Sequence, residues 1–114
     1  MSNKSSPANT LTKQILNYLF SQRVFAWRNS VGAFGGLRAN GQKIFLQFGK
    51  VGSPDIIGIL NPTGRFIGVE VKIGKDKLRP AQLSFKRQAE FCGGLYVVVK
   101  DFEGFLKEFA EISK

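Results

Sequence analysis

Histidine is absent from the chain, and cysteine occurs once, as Cys92. A zinc site of the ordinary kind needs several histidine or cysteine ligands, so this sequence cannot build one. A single cysteine also excludes an internal disulfide and is typical of a protein from a reducing compartment. Zinc chemistry and a disulfide scaffold are therefore both excluded.

Long apolar runs are missing as well. The apolar stretch at residues 56–60 is far shorter than the ~20 residues that cross a bilayer, and the first residues show no signal-peptide pattern. We therefore expect a soluble cytoplasmic protein without membrane contact.

Acidic residues are scarce and unevenly placed. The chain has 17 Lys and Arg against 8 Asp and Glu, which gives a net charge of +9 and a pI near 10.1. A surplus of this size predicts a polyanionic partner such as DNA, although a merely solvated basic surface is the alternative. The acids in the first hundred residues are Asp55, Glu70, Asp76 and Glu90.

Two of these acids belong to a predicted β-hairpin. Apolar, β-branched-rich runs follow Asp55 and precede Lys72, and the turn sequence Asn61-Pro62-Thr63-Gly64 separates them. In an antiparallel hairpin the start of the first strand lies beside the end of the second. Glu70 and Lys72 are two residues apart and share one face, so Asp55, Glu70 and Lys72 should meet at one end of the sheet.

This trio suits a particular chemistry. Two converging carboxylates form a hard-oxygen site for Mg²⁺ or Mn²⁺, ions that keep several waters and bind phosphate oxygens. A neighbouring lysine can hold or deprotonate an attacking water and can offset the charge that builds on a phosphate. The alternatives are a turn or capping role for Asp55 and a surface ion pair between Glu70 and Lys72.

The chain is expected to begin with a tail and a helix. Residues 1–9 are polar and should form a disordered tail, while residues 10–114 should form one domain. Apolar residues then recur at three- and four-residue spacing as far as Phe20, which predicts a helix with Thr10 as its N-cap.

The remaining pattern predicts an α/β fold with a mixed β-sheet flanked by helices, in the order α-β-β-β-α-β-α. Trp27 in the first strand is expected in the core, with stacking on a base as the alternative. The last strand should run parallel to its neighbour because a helix precedes it. The further elements are strands at residues 24–28 and 43–48, a glycine-rich loop at residues 29–41, a helix from Pro80 to about Phe91, a strand at residues 95–99 and a last helix capped by Asp101.

Several of these residues resemble a known family. Pro54-Asp55, followed fifteen positions later by Glu70-Val71-Lys72, is similar to the signature of the PD-(D/E)XK nucleases. The surrounding short motifs resemble the small stand-alone VRR-NUC branch of phages and bacteria, and the resemblance extends from about Leu11 to Val99. These motifs are Ala26-Trp27-Arg28-Asn29, Gly52-Ser53-Pro54-Asp55, Leu78 to Gln82 and Gly93-Gly94.

The resemblance implies a restriction-endonuclease-like core and a metal-dependent DNA endonuclease. Asp55 and Glu70 would hold Mg²⁺, which Mn²⁺ could replace, with the carbonyl of Val71 as a further ligand. Lys72 would act on the attacking water, and Gln82 resembles a glutamine that lies beside the catalytic lysine. The product would carry a 5′-phosphate, and the cell would be bacterial or phage-infected.

One family feature is missing. Relatives commonly carry an acidic residue on or before the first helix, and residues 10–22 contain none. A basic nucleic-acid-binding module without catalysis, built on the same fold, is therefore the alternative function.

Branched DNA such as a Holliday junction is the expected substrate. Cutting both of its strands needs two active sites related by a two-fold axis, and one small subunit offers one, so we expect a homodimer. Cations near the sheet and in the segment after Lys72 should contact the phosphates. The candidate DNA-binding residues are Arg28, Arg38, Lys43, Lys75, Lys77, Arg79 and Lys86.

Overall fold

The computed structural model describes residues 6–113, without the side chains of Phe34 and Phe48. Within these residues the chain forms three helices and six strands. They are α1 (Pro7–Ser21), β1 (Phe25–Arg28), β2 (Gly32–Leu37), β3 (Lys43–Phe48), β4 (Ile56–Ile59), β5 (Phe66–Val71), α2 (Pro80–Phe91), β6 (Leu95–Val99) and α3 (Phe102–Ile112).

The main sheet has four strands in the order β1-β4-β5-β6. The predicted hairpin is present, since Ile56 lies opposite Val69 and Ile59 opposite Phe66 in antiparallel register. β6 runs parallel to β5, as expected for strands connected by a helix. The prediction of an α/β fold with a mixed sheet flanked by helices is confirmed, and the architecture is consistent with a restriction-endonuclease-like core.

The predicted loop at residues 29–41 is partly wrong. Gly32–Leu37 forms β2, which pairs with β3 as a separate two-stranded ribbon with Gly32 opposite Phe48. With the strands predicted at residues 24–28 and 43–48 and the two hairpin strands, β2 brings the number between α1 and α2 to five, whereas the predicted order has three. Glycine has low β-propensity, so the sequence of β2 does not indicate a strand; its backbone pairing with β3 decides its conformation.

The start of α1 also differs from the prediction. Ser6, not Thr10, is the N-cap, because its Oγ accepts a hydrogen bond from the backbone N–H of Asn9 at 3.1 Å. Pro7 then occupies the first turn, where its missing N–H is not needed. The predicted disordered tail is thus wrong for residues 7–9, and its first five residues lie outside the described part of the chain.

The core lies between the sheet and the pair α1 and α3. Tyr18 on α1 meets the rings of Phe105 and Phe109 on α3 edge-on, with centroids 5.9 and 5.6 Å apart. Val69 and Val71 of β5 join this core cluster. The apolar stripe of α3 is therefore core, and the predicted cap is confirmed, since Asp101 Oδ1 accepts from the N–H of Gly104 at 2.6 Å.

The opposite face of the sheet carries α2 and the candidate site. Phe85 on α2 packs on Phe66 of β5 and Tyr96 of β6. Side chains alternate along a strand, so Glu70 and Lys72 share this face with Phe66, away from Val69 and Val71. Trp27 was expected in the core, but it is 43% exposed because β1 is the edge strand of the sheet.

None of the helices in residues 6–113 combines the length and the apolar character that crossing a bilayer would require.

Candidate active site

Pro54 fixes the entry of the chain into the site. Its side chain is fully buried, and a Cβ added to Gly68 on the neighbouring strand would lie only 2.6 Å from Pro54 Cγ. The proline ring therefore sits in the space that the glycine leaves open. Since proline also fixes its own φ, the backbone that leads into Asp55 has little freedom.

Asn29 holds the same turn from the other side. Its Nδ2 donates to Ser53 Oγ at 2.6 Å and to the Pro54 carbonyl at 2.9 Å, and its backbone N–H donates to the Asp55 carbonyl at 2.8 Å. In the sequence, Asn29 belongs to the motif Ala26-Trp27-Arg28-Asn29 that resembles the family, but no role follows from it. Its position indicates the contact, because Asn29 directly follows β1, and the paired strand β4 begins directly after Asp55.

Gly52 brings this turn against the start of α2. Its φ is +87°, and a Cβ there would lie 2.2 Å from the carbonyl oxygen of Ala81. Glycine is therefore required both for the backbone conformation and for the close approach. The contact places Gln82, the next residue of α2, beside the end of β5.

The two carboxyl groups converge at this point. Asp55 Oδ2 accepts a hydrogen bond from the backbone N–H of Val71 at 2.8 Å. Glu70 is 3% exposed, and its Oε2 accepts from Gln82 Nε2 and from the hydroxyl of Tyr96, both at 3.2 Å. Each carboxyl group is thus oriented by a donor from a neighbouring strand or helix.

The pKa of Glu70 is raised to about 8, first by burial and then by a hydrogen bond with Asp55 and the charge of Asp55. The charge of Lys72 and the hydrogen bond from Tyr96 oppose the shift. The pKa of Tyr96 is also raised, first by burial and then by the Glu70 charge. Two carboxylates held together in a poorly hydrated position repel each other, and a divalent cation between them would remove that repulsion.

An open cleft of about 600 Å³ surrounds the carboxyl groups. Arg28 at the end of β1 and Arg79 before α2 contribute to its walls, and Arg28 Nη2 also donates to Asn9 Oδ1. Within residues 6–113, no group of three or more acidic or cysteine side chains is arranged to hold a metal ion. The protein therefore offers two carboxylates, which suits an ion that keeps much of its water.

The sequence matches the family model of the VRR-NUC domain over residues 8–100. The chain belongs to the VRR-NUC family. The resemblance seen in the sequence is thereby confirmed, and the family assignment supports a nuclease acting on DNA. A search of curated proteins gives no match to the chain.

Most of the site residues predicted from the VRR-NUC resemblance lie close together. Asp55, Glu70 and Gln82 line one cleft, and the N–H of Val71 binds Asp55. Lys72 is 8% exposed, and its charge acts on Glu70. The resemblance places this glutamine beside the lysine. In the structure, Gln82 Nε2 donates to Glu70, and Gln82 Oε1 accepts from the backbone N–H of Arg79.

The DNA-binding candidates occupy four regions. Arg28 and Arg79 line the VRR-NUC cleft, and Lys75 and Lys77 are exposed between β5 and α2. Arg38 and Lys43 flank the turn of the β2-β3 ribbon, outside the cleft. Lys86 on α2 forms an ion pair with Glu90 at 2.9 Å.

Tyr96, like Asn29, is a site residue to which the sequence alone assigns no role. It was assigned only to a buried strand, yet its hydroxyl binds the central carboxyl group of the site. A tyrosine within a run of buried valines must find a partner for its hydroxyl, and β6 pairs with the strand that carries Glu70. These two features of the sequence together indicate a contact between Tyr96 and Glu70.

Proposed function

We propose that this VRR-NUC protein is a metal-dependent DNA endonuclease that hydrolyses phosphodiester bonds. The observation that carries the proposal is the convergence of Asp55 and Glu70 in one cleft, with Lys72 on the same strand face as Glu70. Tyr96 orients the Glu70 carboxyl group through a buried hydrogen bond.

Asp55 and Glu70 are suited to hold Mg²⁺, or Mn²⁺ in its place. Neighbouring donors orient them at Oδ2 and Oε2, and the two carboxyl groups lie within hydrogen-bonding reach of each other, so one ion could contact both. The N–H and C=O of one strand residue point to the same side, so the carbonyl of Val71 is directed toward Asp55 and is a further candidate ligand. When bound, the ion would polarise the scissile phosphate and stabilise its developing charge.

The chain's own residues would then divide the remaining work. Lys72 would position or deprotonate the attacking water from its nearly buried place beside Glu70. Gln82 and Tyr96 would keep Glu70 oriented. Arg28 and Arg79 in the cleft wall would bind the phosphates on either side of the cleaved bond, and the product would carry a 5′-phosphate, as the family resemblance implies.

A non-catalytic DNA-binding module remains the second candidate. It is favoured by the two-carboxylate donor set and by the absence of acidic residues from positions 10–22. The two functions differ in one measurable respect, since only the enzyme converts substrate.

A side-by-side digest tests the proposal. Supercoiled plasmid, linear duplex, a flap and a four-way junction are incubated with Mg²⁺, Mn²⁺ or EDTA. We expect cleavage with either metal and none with EDTA.

Lys72→Gln should reduce cleavage at least ~100-fold while DNA affinity is retained. Lys107→Gln, which removes the same charge from α3 on the opposite face, is the matched control. Cutting in EDTA would refute metal dependence, and binding without cutting would establish the binding module.

The enzyme should act as a homodimer on branched DNA. Besides the need for two sites on a two-fold axis, the ribbon offers an apolar surface for association, because Leu37 and Phe45 share one of its faces and are 68% and 71% exposed. Sedimentation at micromolar concentration should give twice the monomer mass of 12.6 kDa. Full junction cleavage by a monomer would contradict this part of the proposal.

A further inference from the structure

A second cavity lies along α2, separate from the carboxyl groups. It is an open groove of about 380 Å³, within the ~300–1,000 Å³ range of small-ligand sites. The residues that give it its chemical character are Lys50, Arg65, Phe66, Phe85, Gln88 and Cys92.

The groove is adjacent to the catalytic cleft. Both cavities border the same turn, which contributes Lys50 to the groove and Val51 to the cleft. Both also border α2, with Ala81 at the cleft and Gln88 in the groove. Seven residues of helix separate these two positions, a rise of roughly 10 Å. A nucleic-acid strand in the cleft could therefore reach the groove within a few nucleotides.

The floor of the groove is aromatic. The ring of Phe85 lies 6.1 Å from that of Phe66 and 6.0 Å from that of Tyr96, measured between centroids. Aromatic side chains of this kind stack on bases without regard to their sequence. Since Tyr96 binds Glu70 directly, Phe85 also connects the groove physically to the catalytic carboxyl group.

The rim of the groove is cationic and polar. Lys50 is exposed, and the Nε of Arg65 donates to the Gly93 carbonyl, which holds the guanidinium at the edge. Gln88, also exposed, donates through Nε2 to Ser84 Oγ at 3.1 Å, and its amide oxygen can accept from a base edge. Two cations beside an apolar floor complement a nucleotide, which joins an anionic phosphate to a flat aromatic base, better than they complement an apolar peptide.

We propose that this groove binds one unpaired nucleotide of the DNA substrate, with its base on the Phe66-Phe85 floor and its phosphate between Lys50 and Arg65. The proposal rests on the proposed function and extends it, because it assigns a preference for DNA that has an unpaired nucleotide, such as a flap, over fully paired duplex to a specific pocket. A paired base cannot enter, since it would have to leave its stack first.

Protection of Cys92 tests the proposal in the unmodified chain. This thiol is the only one in the sequence, it is exposed, and it lines the groove. Its alkylation by N-ethylmaleimide is timed in EDTA at saturating DNA, with a duplex that has one unpaired nucleotide, the same duplex with an unpaired abasic residue, and a fully paired duplex. The unpaired base should slow alkylation about tenfold more than either other DNA. Equal protection of Cys92 by all three DNAs would overturn the proposal. Protection by none of them would also overturn it and would favour a protein as the ligand of the groove.

A groove-filling variant gives the second readout. Gln88→Trp should reduce the preference for the DNA with an unpaired base over the paired duplex about tenfold, measured as a ratio of dissociation constants. Gln14→Trp places the same substitution at an exposed position of α1 and should leave the ratio unchanged. An unchanged ratio in Gln88→Trp would refute the pocket.

These measurements are made without metal, so they do not depend on cleavage. If base-dependent protection occurs but the wild-type chain cuts no DNA in Mg²⁺, the pocket stands and the enzymatic function fails. If cleavage occurs without base-dependent protection, the reverse holds.

Discussion

The hydroxyl of Tyr96 donates a hydrogen bond to Oε2 of Glu70 at 3.2 Å, from the neighbouring parallel strand. This bond favours the ionised form of the carboxyl group, while burial, followed by the neighbouring Asp55, raises its pKa to about 8. Because a divalent cation binds the ionised carboxylate, the protonation of Glu70 and metal binding compete. The pH dependence of the enzyme therefore reports on this contact.

Mg²⁺ affinity should rise with pH and level off above about pH 8. Below the pKa of Glu70, binding must displace a proton, so the affinity should fall up to tenfold for each pH unit. Isothermal titration of Mg²⁺ at pH 6, 7, 8 and 9 gives the profile, and the proton released can be measured from buffers of different ionisation enthalpy. A flat profile between pH 6 and 8 would show that Glu70 is not a ligand.

Tyr96→Phe should shift this profile to higher pH. The substitution keeps the ring on Phe85 but removes the hydrogen bond that lowers the pKa of Glu70, so the midpoint should rise by about one unit at most. Tyr18→Phe makes the same change at the other tyrosine of the chain, in the α1-α3 core, and should leave the midpoint unchanged. A shift toward lower pH in Tyr96→Phe would contradict the assigned direction.

Glu70→Gln should abolish cleavage and stabilise the metal-free protein at alkaline pH. Below pH 4.5 the glutamate is protonated in both folded and unfolded chains, so it contributes no pH dependence there. Between pH 4.5 and about 8 the unfolded chain has lost a proton that the folded chain retains, and stability falls as pH rises. The neutral amide avoids this loss, so its advantage over wild type should be on the order of 1–2 kcal/mol at pH 9, once solvent screening is allowed for.

Urea unfolding in EDTA at pH 4 and pH 9 measures the difference. The advantage of Glu70→Gln should be present at pH 9 and small at pH 4. The same advantage at both values would mean that packing, and not the charge of Glu70, is responsible.

Gly52→Ala should destabilise the fold and reduce cleavage. The new Cβ would need a strained positive φ and would lie 2.2 Å from the Ala81 carbonyl oxygen, so either the turn or the start of α2 must move. Gly64→Ala is the matched control, because its φ is +75° but nothing lies within 4 Å of its Cβ. The control should cost about 1 kcal/mol, from backbone strain alone.

Thermal and urea unfolding of the two glycine variants then separate strain from contact. We expect Gly52→Ala to lose about 2 kcal/mol more than Gly64→Ala. Equal losses would show that the approach of the turn to α2 relaxes at little cost.

The central part of the site could be predicted from the sequence because its geometry is local. One four-residue turn joins the two strands, so the hairpin register alone places Asp55 beside Glu70 and Lys72. The last helix could also be predicted from the sequence, since the cap at Asp101 and the apolar residues of α3, such as Phe105 and Phe109, lie within a few residues of one another.

The rest depended on contacts between distant residues. Asn29 is 24 residues from its partner Ser53, and Tyr96 is 26 residues from Glu70. The ribbon strand β2 consists largely of glycine and small residues, so only its pairing with β3 reveals it. The error at the start of α1 has another cause. Ser6-Pro7 is a local signal for a helix start, but the apolar pattern after Thr10 is stronger and favours the later start.

The salt dependence of DNA binding should distinguish cations that contact phosphate from cations that are already paired. Arg79 lines the cleft, so Arg79→Gln should lower the slope of log K against log salt concentration by about 0.9, the value for one lost phosphate contact on duplex DNA. Its backbone N–H, which donates to Gln82 Oε1 at 2.8 Å, is retained in the variant.

Lys86→Gln is the control for Arg79→Gln. Because Lys86 is paired with Glu90 at 2.9 Å, the slope of log K against log salt concentration should change by much less in this variant. Fluorescence anisotropy between 50 and 200 mM NaCl in EDTA measures both slopes. A larger change for Lys86→Gln would mean that DNA breaks the ion pair and that the phosphate track follows the outer side of α2 rather than the cleft.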